Sequence, residues 1–138
     1  MTGLIDYGKL DSLSFDWGGV KWYVTPDANG AGLTMGMVVI LPDKGHARHC
    51  HEGADEIIYI LSGEGVQTVN DSEPFAIKAG DTLYLPDGAP HSTYNTGWDT
   101  LRALVFYAPG GADRAFKELP DCRELDIGKA LDFVRNSG

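Results

Sequence analysis

The chain of 138 residues carries 20 acidic and 11 basic side chains, a net charge of −9, and 43% hydrophobic residues. That length suits one domain with a proper core, expected over 1–138. The acidic balance excludes the basic stripe of a nucleic-acid surface and disfavours anionic membranes. No stretch approaches the roughly 18 apolar residues of a membrane span.

Met1 to Lys9 shows no basic region followed by an apolar run, so no signal peptide is expected. The expectation is a cytoplasmic protein whose two cysteines, Cys50 and Cys122, stay reduced. Eighteen glycines and seven prolines favour short strands and tight turns over long helices.

Residues 1–12 read as an edge strand or irregular arm. Leu13–Trp17 and Val20–Val24 are β-rich runs, with a hairpin corner expected at Gly18-Gly19. Pro26–Gly30 is a turn cluster, and Leu33–Leu41 a long apolar strand stopped by Pro42-Asp43. Strands are then expected at Arg48–His51, Glu56–Leu61, Gly65–Asn70, Glu73–Ile77, Thr82–Pro86, His91–Thr96 and Leu101–Tyr107. Short strands punctuated by turns, with no helical period between them, read as an antiparallel barrel or sandwich. The barrel core is expected at about residues 13–108, followed by an extension over 109–138. Within that extension Asp126–Asn136 places Ile127, Leu131 and Val134 on one helical face, which predicts a short C-terminal helix with Asp126 as its cap.

Side chains two apart on a strand point the same way, so His49 and His51 should share a face and Cys50 should point opposite, as a buried small hydrophobe or interface residue. By the same parity His46 and Arg48 read as surface or loop residues. Glu56 on the next strand and His91 on a later hairpin complete a set of three nitrogens and one oxygen. Such a set suits several first-row ions and leaves coordination positions open, as catalytic sites do. A His-x-His pair alone is more often a pair of polar strand residues.

The frame around these residues is more specific. Gly45-x3-His49-x-His51-x4-Glu56-x6-Gly63 resembles the first cupin motif, and Gly80-x5-Pro86-x-Gly88-x2-His91-x3-Asn95 resembles the second at every named position. Sixteen residues separate Gly63 from Gly80, a spacing similar to that of compact bacterial cupins. One departure is Asp43, which stands where the family usually has its opening glycine, while Gly45 lies two residues on. The resemblance implies an all-β fold, an antiparallel double-stranded β-helix (jelly-roll or cupin barrel). It also implies one divalent transition metal ion, Fe, Mn, Ni or Zn, held by His49, His51, Glu56 and His91.

Around the ligands, alternation sends Ile58 and Ile60 inward with Glu56 and Tyr59 outward. Thr93 shares a face with His91 and is a candidate substrate-binding residue. Arg102 is a second candidate, because an inward arginine would bind a substrate carboxylate bidentately. Pattern alone leaves the facing of Gln67, Tyr84, Arg102 and Tyr107 open, and Glu52 and Asp55 read as solvated loop charges or supports for a ligand histidine. Asn95 is expected to brace its hairpin.

The resemblance implies a metal-dependent enzyme acting on a small oxygenated metabolite, as a dioxygenase or as an isomerase or lyase on a sugar or a keto or hydroxy acid. The alternative is a non-catalytic cupin that binds or senses a small metabolite. A homodimer is expected, since small cupins pair through outer sheet faces and apolar edge runs such as Leu33–Leu41 need cover.

Overall fold

The computed structural model describes residues 3–129. Two antiparallel sheets face each other. The larger has the strand order β11-β1-β2-β3-β10-β5-β8 and the smaller β4-β9-β6-β7. In chain order these are β1 (Ser12–Phe15), β2 (Gly18–Val24), β3 (Thr34–Ile40), β4 (Gly45–His49), β5 (Asp55–Ser62), β6 (Glu64–Val69), β7 (Phe75–Lys78), β8 (Thr82–Leu85), β9 (His91–Asn95), β10 (Leu101–Ala108) and β11 (Arg123–Leu125). Two one-turn helices, α1 (Pro26–Asn29) and α2 (Asp113–Phe116), lie between strands. The architecture is the double-stranded β-helix expected. No helix among the described residues is long and apolar enough to cross a membrane.

Strict alternation builds the core. On β10, Leu101, Ala103, Val105 and Tyr107 are buried, while Arg102 is exposed and Leu104 and Phe106 are half-buried. On β5, Glu56, Ile58 and Ile60 turn inward, whereas Ile57, Tyr59 and Leu61 are exposed. Fully burying each leucine, isoleucine or valine among these stabilises the fold by roughly 1.5–3 kcal/mol. Asn95, wholly buried, braces the chain as expected. Its amide donates to the carbonyls of Ile40 and Asp99, both at 2.9 Å, and accepts from the Gly97 N–H at 2.8 Å.

The turns depart from expectation in places. The β1–β2 hairpin turns at Asp16-Trp17, not at Gly18-Gly19, because Phe15 pairs with Gly18. Gly18 serves close packing instead: a Cβ there would lie 1.9 Å from the Val39 carbonyl oxygen. The Pro26–Gly30 cluster winds into α1, with Thr25 Oγ1 accepting from the Ala28 N–H at 3.0 Å and Gly30 in the left-handed conformation that ends it. Asp43 has φ +61, so the position where the family prefers glycine demands a left-handed residue and an aspartate supplies it. Its carboxylate and carbonyl both accept from the Tyr94 hydroxyl, which holds that conformation.

The start of the expected C-terminal helix also differs. Asp126–Lys129 forms a turn closed by the Lys129 N–H on the Asp126 carbonyl at 3.1 Å, with Gly128 at φ +83. The remainder of the expected helix, 130–136, lies outside the described residues. Not foreseen were α2 and β11, which bring the chain after Pro109 back over the barrel and along β1.

Candidate metal centre

One ligand atom from each of His49, His51 and His91 lies within 4.8 Å of the others, so the three could hold a metal ion. They arrive from different elements. His49 ends β4 and pairs across the ladder with His91, the first residue of β9. His51 lies in the loop just past β4. That loop is tied to the β8–β9 turn by Gly53 N–H on Asp87 Oδ1 at 2.7 Å, by Asp87 N–H on Asp55 Oδ1 at 2.9 Å and by Gly88 N–H on the His51 carbonyl at 3.2 Å. Asp55 thus joins the loop of His51 to the hairpin of His91 without touching either imidazole, while Glu52 is an exposed loop charge.

Two of the imidazoles are aimed by the backbone. His49 Nδ1–H donates to the Ala47 carbonyl at 2.7 Å and His91 Nδ1–H to that of Ala89 at 3.0 Å. A carbonyl can only accept, so Nδ1 carries the proton on both rings and Nε2 keeps its lone pair for a cation. Glu56 Oε1 lies 3.1 Å from His91 Nε2 and 3.7 Å from His51 Nε2. With its proton on Nδ1, His91 has none on Nε2 to donate, and Oε1 is buried without a hydrogen-bond partner. A buried carboxylate oxygen left so is costly unless a cation meets it. The donor chemistry fits a divalent first-row ion.

The titration behaviour follows from burial and crowding. Burial, reinforced by the neighbouring imidazoles, lowers His49 and His51 to about 4 and His46 to about 3. Burial also pushes His91 down, but the Glu56 carboxylate outweighs it and the net shift is upward. Tyr107 is raised well above its ordinary value by burial and then by the Glu56 charge, so it remains a neutral phenol. Its hydroxyl sits 3.5 Å from His51 Nε2.

The cavity beside these groups has a volume of about 40 Å³. Aliphatic side chains of β3, β5 and β10 wall it, and Trp17, His46, Thr93 and Phe116 complete the lining. Among the described residues, no lysine or arginine lines it.

Thr93 is buried here, with its hydroxyl donating to Gln67 Oε1, so toward a ligand it offers a lone pair. Arg102 points away: it is exposed on the outer face of the larger sheet, where odd-numbered residues of β10 face in and even-numbered ones out. The expected inward arginine is therefore absent from the cavity. Tyr84 is exposed too, whereas Gln67 and Tyr107 face inward.

His46 corrects the parity reading. Between His46 and His49 the ladder slips, so three steps on β4 match two on β9 (His46 opposite Thr93, His49 opposite His91). The bulge turns His46 to the same side as His49, with ring centroids 3.8 Å apart and Trp17 stacked behind at 5.0 Å. Arg48 does stay on the surface, paired with Asp71. Cys50 is exposed, not buried, because β4 ends one residue before it. Phe116 had no local signal at all: a lone aromatic beyond the last barrel strand becomes part of the cavity only through the tertiary fold.

The cupin-domain family model matches residues 36–107, which hold all four candidate ligands, and the chain belongs to the cupin family. Among curated relatives, an oxalate-binding protein of Thermotoga maritima is 47% identical over 57 residues, covering 41% of this chain and 46% of the relative. An uncharacterised protein of Methanocaldococcus jannaschii is 45% identical over 61 residues, covering 44% and 48%. The matched part is about half the length of these relatives. Among solved structures, a predicted oxalate decarboxylase from Thermotoga maritima superposes with a TM-score of 0.67 at 26% identity, over 78% of this chain and 99% of that one. Bacillus subtilis oxalate decarboxylase, a protein with Mn(II) centres, shares the fold with a TM-score of 0.64 at 24% identity, over 70% and 27%.

Proposed function

We propose that this cupin binds one divalent transition metal ion through His49, His51, Glu56 and His91, and uses it to act on a small carboxylic acid. The observation that carries the reading is Glu56 Oε1, buried without an aligned hydrogen bond and facing the imidazole nitrogens of His51 and His91. When bound there, a metal ion supplies a Lewis acid for a substrate oxygen.

The chain's own residues do the rest. The ring-nitrogen bonds of His49 and His91 orient two ligands, and the aliphatic walls exclude water and strengthen the local electrostatics. Tyr107 keeps a phenolic proton beside His51 and can donate it to a hydrogen bond with a substrate oxygen.

Cavity size bears on the substrate. About 40 Å³ holds about three water-sized groups. A sugar far exceeds that room, whereas a two-carbon acid exceeds it least. With no lysine or arginine in the lining among the described residues, the negative charge of such an acid falls to the metal. The oxalate-related names of two relatives point to the same size and chemistry. This favours lyase or dioxygenase chemistry on a small acid over sugar isomerisation.

Protein reconstituted separately with Mn, Fe, Ni and Zn should release CO2 from, or consume O2 with, at least one short hydroxy, keto or dicarboxylic acid. A second reading, a non-catalytic binder, draws on the relative named as an oxalate-binding protein. Saturable metal-dependent binding with no turnover in any metal form would select it.

The outer face of the larger sheet exposes Ile57, Tyr59, Leu61 and Tyr84 together, and a homodimer through this face is the proposed assembly. Sedimentation as a monomer at micromolar concentration would contradict it.

A further inference from the structure

Among the described residues, the strands and the β1–β2 hairpin supply every lining residue of the cavity except Phe116. Its ring is buried between the histidines of the site and the core aromatics. It stacks on His51 at 6.0 Å between centroids and 17° between planes, and it meets His46 at 5.6 Å. On its other side it makes edge contacts with Trp22 at 5.1 Å and Phe15 at 6.1 Å. The geometry points to Phe116 as a specificity-determining residue, a hydrophobic plug that closes the mouth of the metal cavity and sets the size of acid admitted.

The ring packs into the barrel's hydrophobic core, but the helix that carries it is also held by side-chain anchors outside the strand ladders. A four-residue helix with no side-chain cap has little stability of its own, so its anchors decide its position. Asp113 Oδ1 accepts from Thr34 Oγ1 at 2.8 Å in a buried contact, and the same Thr34 oxygen accepts from the Gly111 N–H at 3.0 Å. Arg114 forks onto the Asp27 carboxylate at 2.8 and 3.0 Å. These side-chain anchors reach only the start of β3 and α1. Their release would swing Phe116 outward and leave the ladders of β3, β5 and β10 intact, the kind of local opening a folded domain permits. Such an opening is needed for any acid larger than the cavity of about 40 Å³ to reach the histidines.

This inference rests on the metal-centre reading, and the test separates the two. In a Trp98→Phe background, which removes the fully exposed indole, the remaining tryptophans Trp17 and Trp22 lie on the cavity wall and against Phe116. Acrylamide quenching of their fluorescence in metal-free protein should rise severalfold in Phe116→Ala. With Co2+ as an optical probe, oxalate should perturb the visible spectrum of the wild-type protein and glutarate should not, whereas Phe116→Ala should respond to both.

Arg114→Ala keeps the ring and alters only a surface anchor. It should speed Co2+ uptake severalfold at unchanged stoichiometry, and it decides the matter if Phe116→Ala does not fold. A folded Phe116→Ala with wild-type quenching and the wild-type size limit would overturn the plug, as would unchanged uptake in Arg114→Ala. Absence of Co2+ binding in the wild type would instead overturn the metal centre, and the quenching comparison would still judge the plug.

Discussion

Strands β4 and β5 both deliver candidate ligands, and they do so by opposite means. β5 runs between β10 and β8, so Glu56 is fixed by pairing with Tyr107 on one side and Leu85 on the other. Among the described residues β4 is an edge strand paired only with β9, its register breaks after His46, and it ends at His49. The carboxylate is therefore a rigid post set by two ladders. The imidazoles of His49 and His51 are placed by local bonds, a ring nitrogen on a backbone carbonyl for one and a braced loop for the other. A site built this way can keep its charge at one point while its nitrogens adjust to the ion.

Breaking this division of labour should give graded effects. The largest is expected from His91→Ala, because His91 pairs across to His49 and contacts Glu56. Metal affinity measured by competition with a chelator should fall by more than about 100-fold, beyond the cost of losing a merely supporting group. Asp87→Ala removes the acceptor that ties Gly53 to the β8–β9 turn, and so loosens the loop of His51 only. It should cost about 10-fold in affinity with the barrel unchanged by circular dichroism.

Acid should act in two stages. His91 is raised, so metal uptake must displace its proton, and affinity should fall about tenfold per pH unit once the pH drops below that raised value. His49 and His51 stay neutral down to about 4, so the steeper loss from several competing protons begins only there. Glu56→Gln should remove the cause of the His91 shift and move its titration downward, readable from the imidazole resonance of the metal-free protein. Equal titration of all three imidazoles would contradict the contrast between post and adjustable ligands. The smallest effect belongs to Arg102→Ala, on the outer face, which should leave metal affinity unchanged.

The same contrast explains what could be read from the amino acids. On β5 and β10 regular ladders preserve period-two alternation, so the inward turn of Glu56, Ile58 and Ile60 follows directly from the residues. Glycines of the two motifs were equally legible, since Gly63, Gly80 and Gly88 have φ of +89, +92 and +77. On β4 a single inserted step overrode alternation and hid His46, because a bulge leaves no reliable mark in a short polar strand. Arg102 was ambiguous until its strand's parity was set by Leu101 and Ala103. Phe116 was invisible for a different reason: its contacts with His46, His51, Trp22 and Phe15 join residues far apart in the chain, and no local period encodes them.

The most direct measurement is the metal content of the purified protein and of its His51→Ala and His91→Ala variants, before and after reconstitution, by elemental analysis. One first-row ion per wild-type chain, with the bound metal sharply reduced in both folded variants, is the expected result. A wild type that takes up no metal, or variants that retain the wild-type stoichiometry, would contradict a centre built on His49, His51, Glu56 and His91.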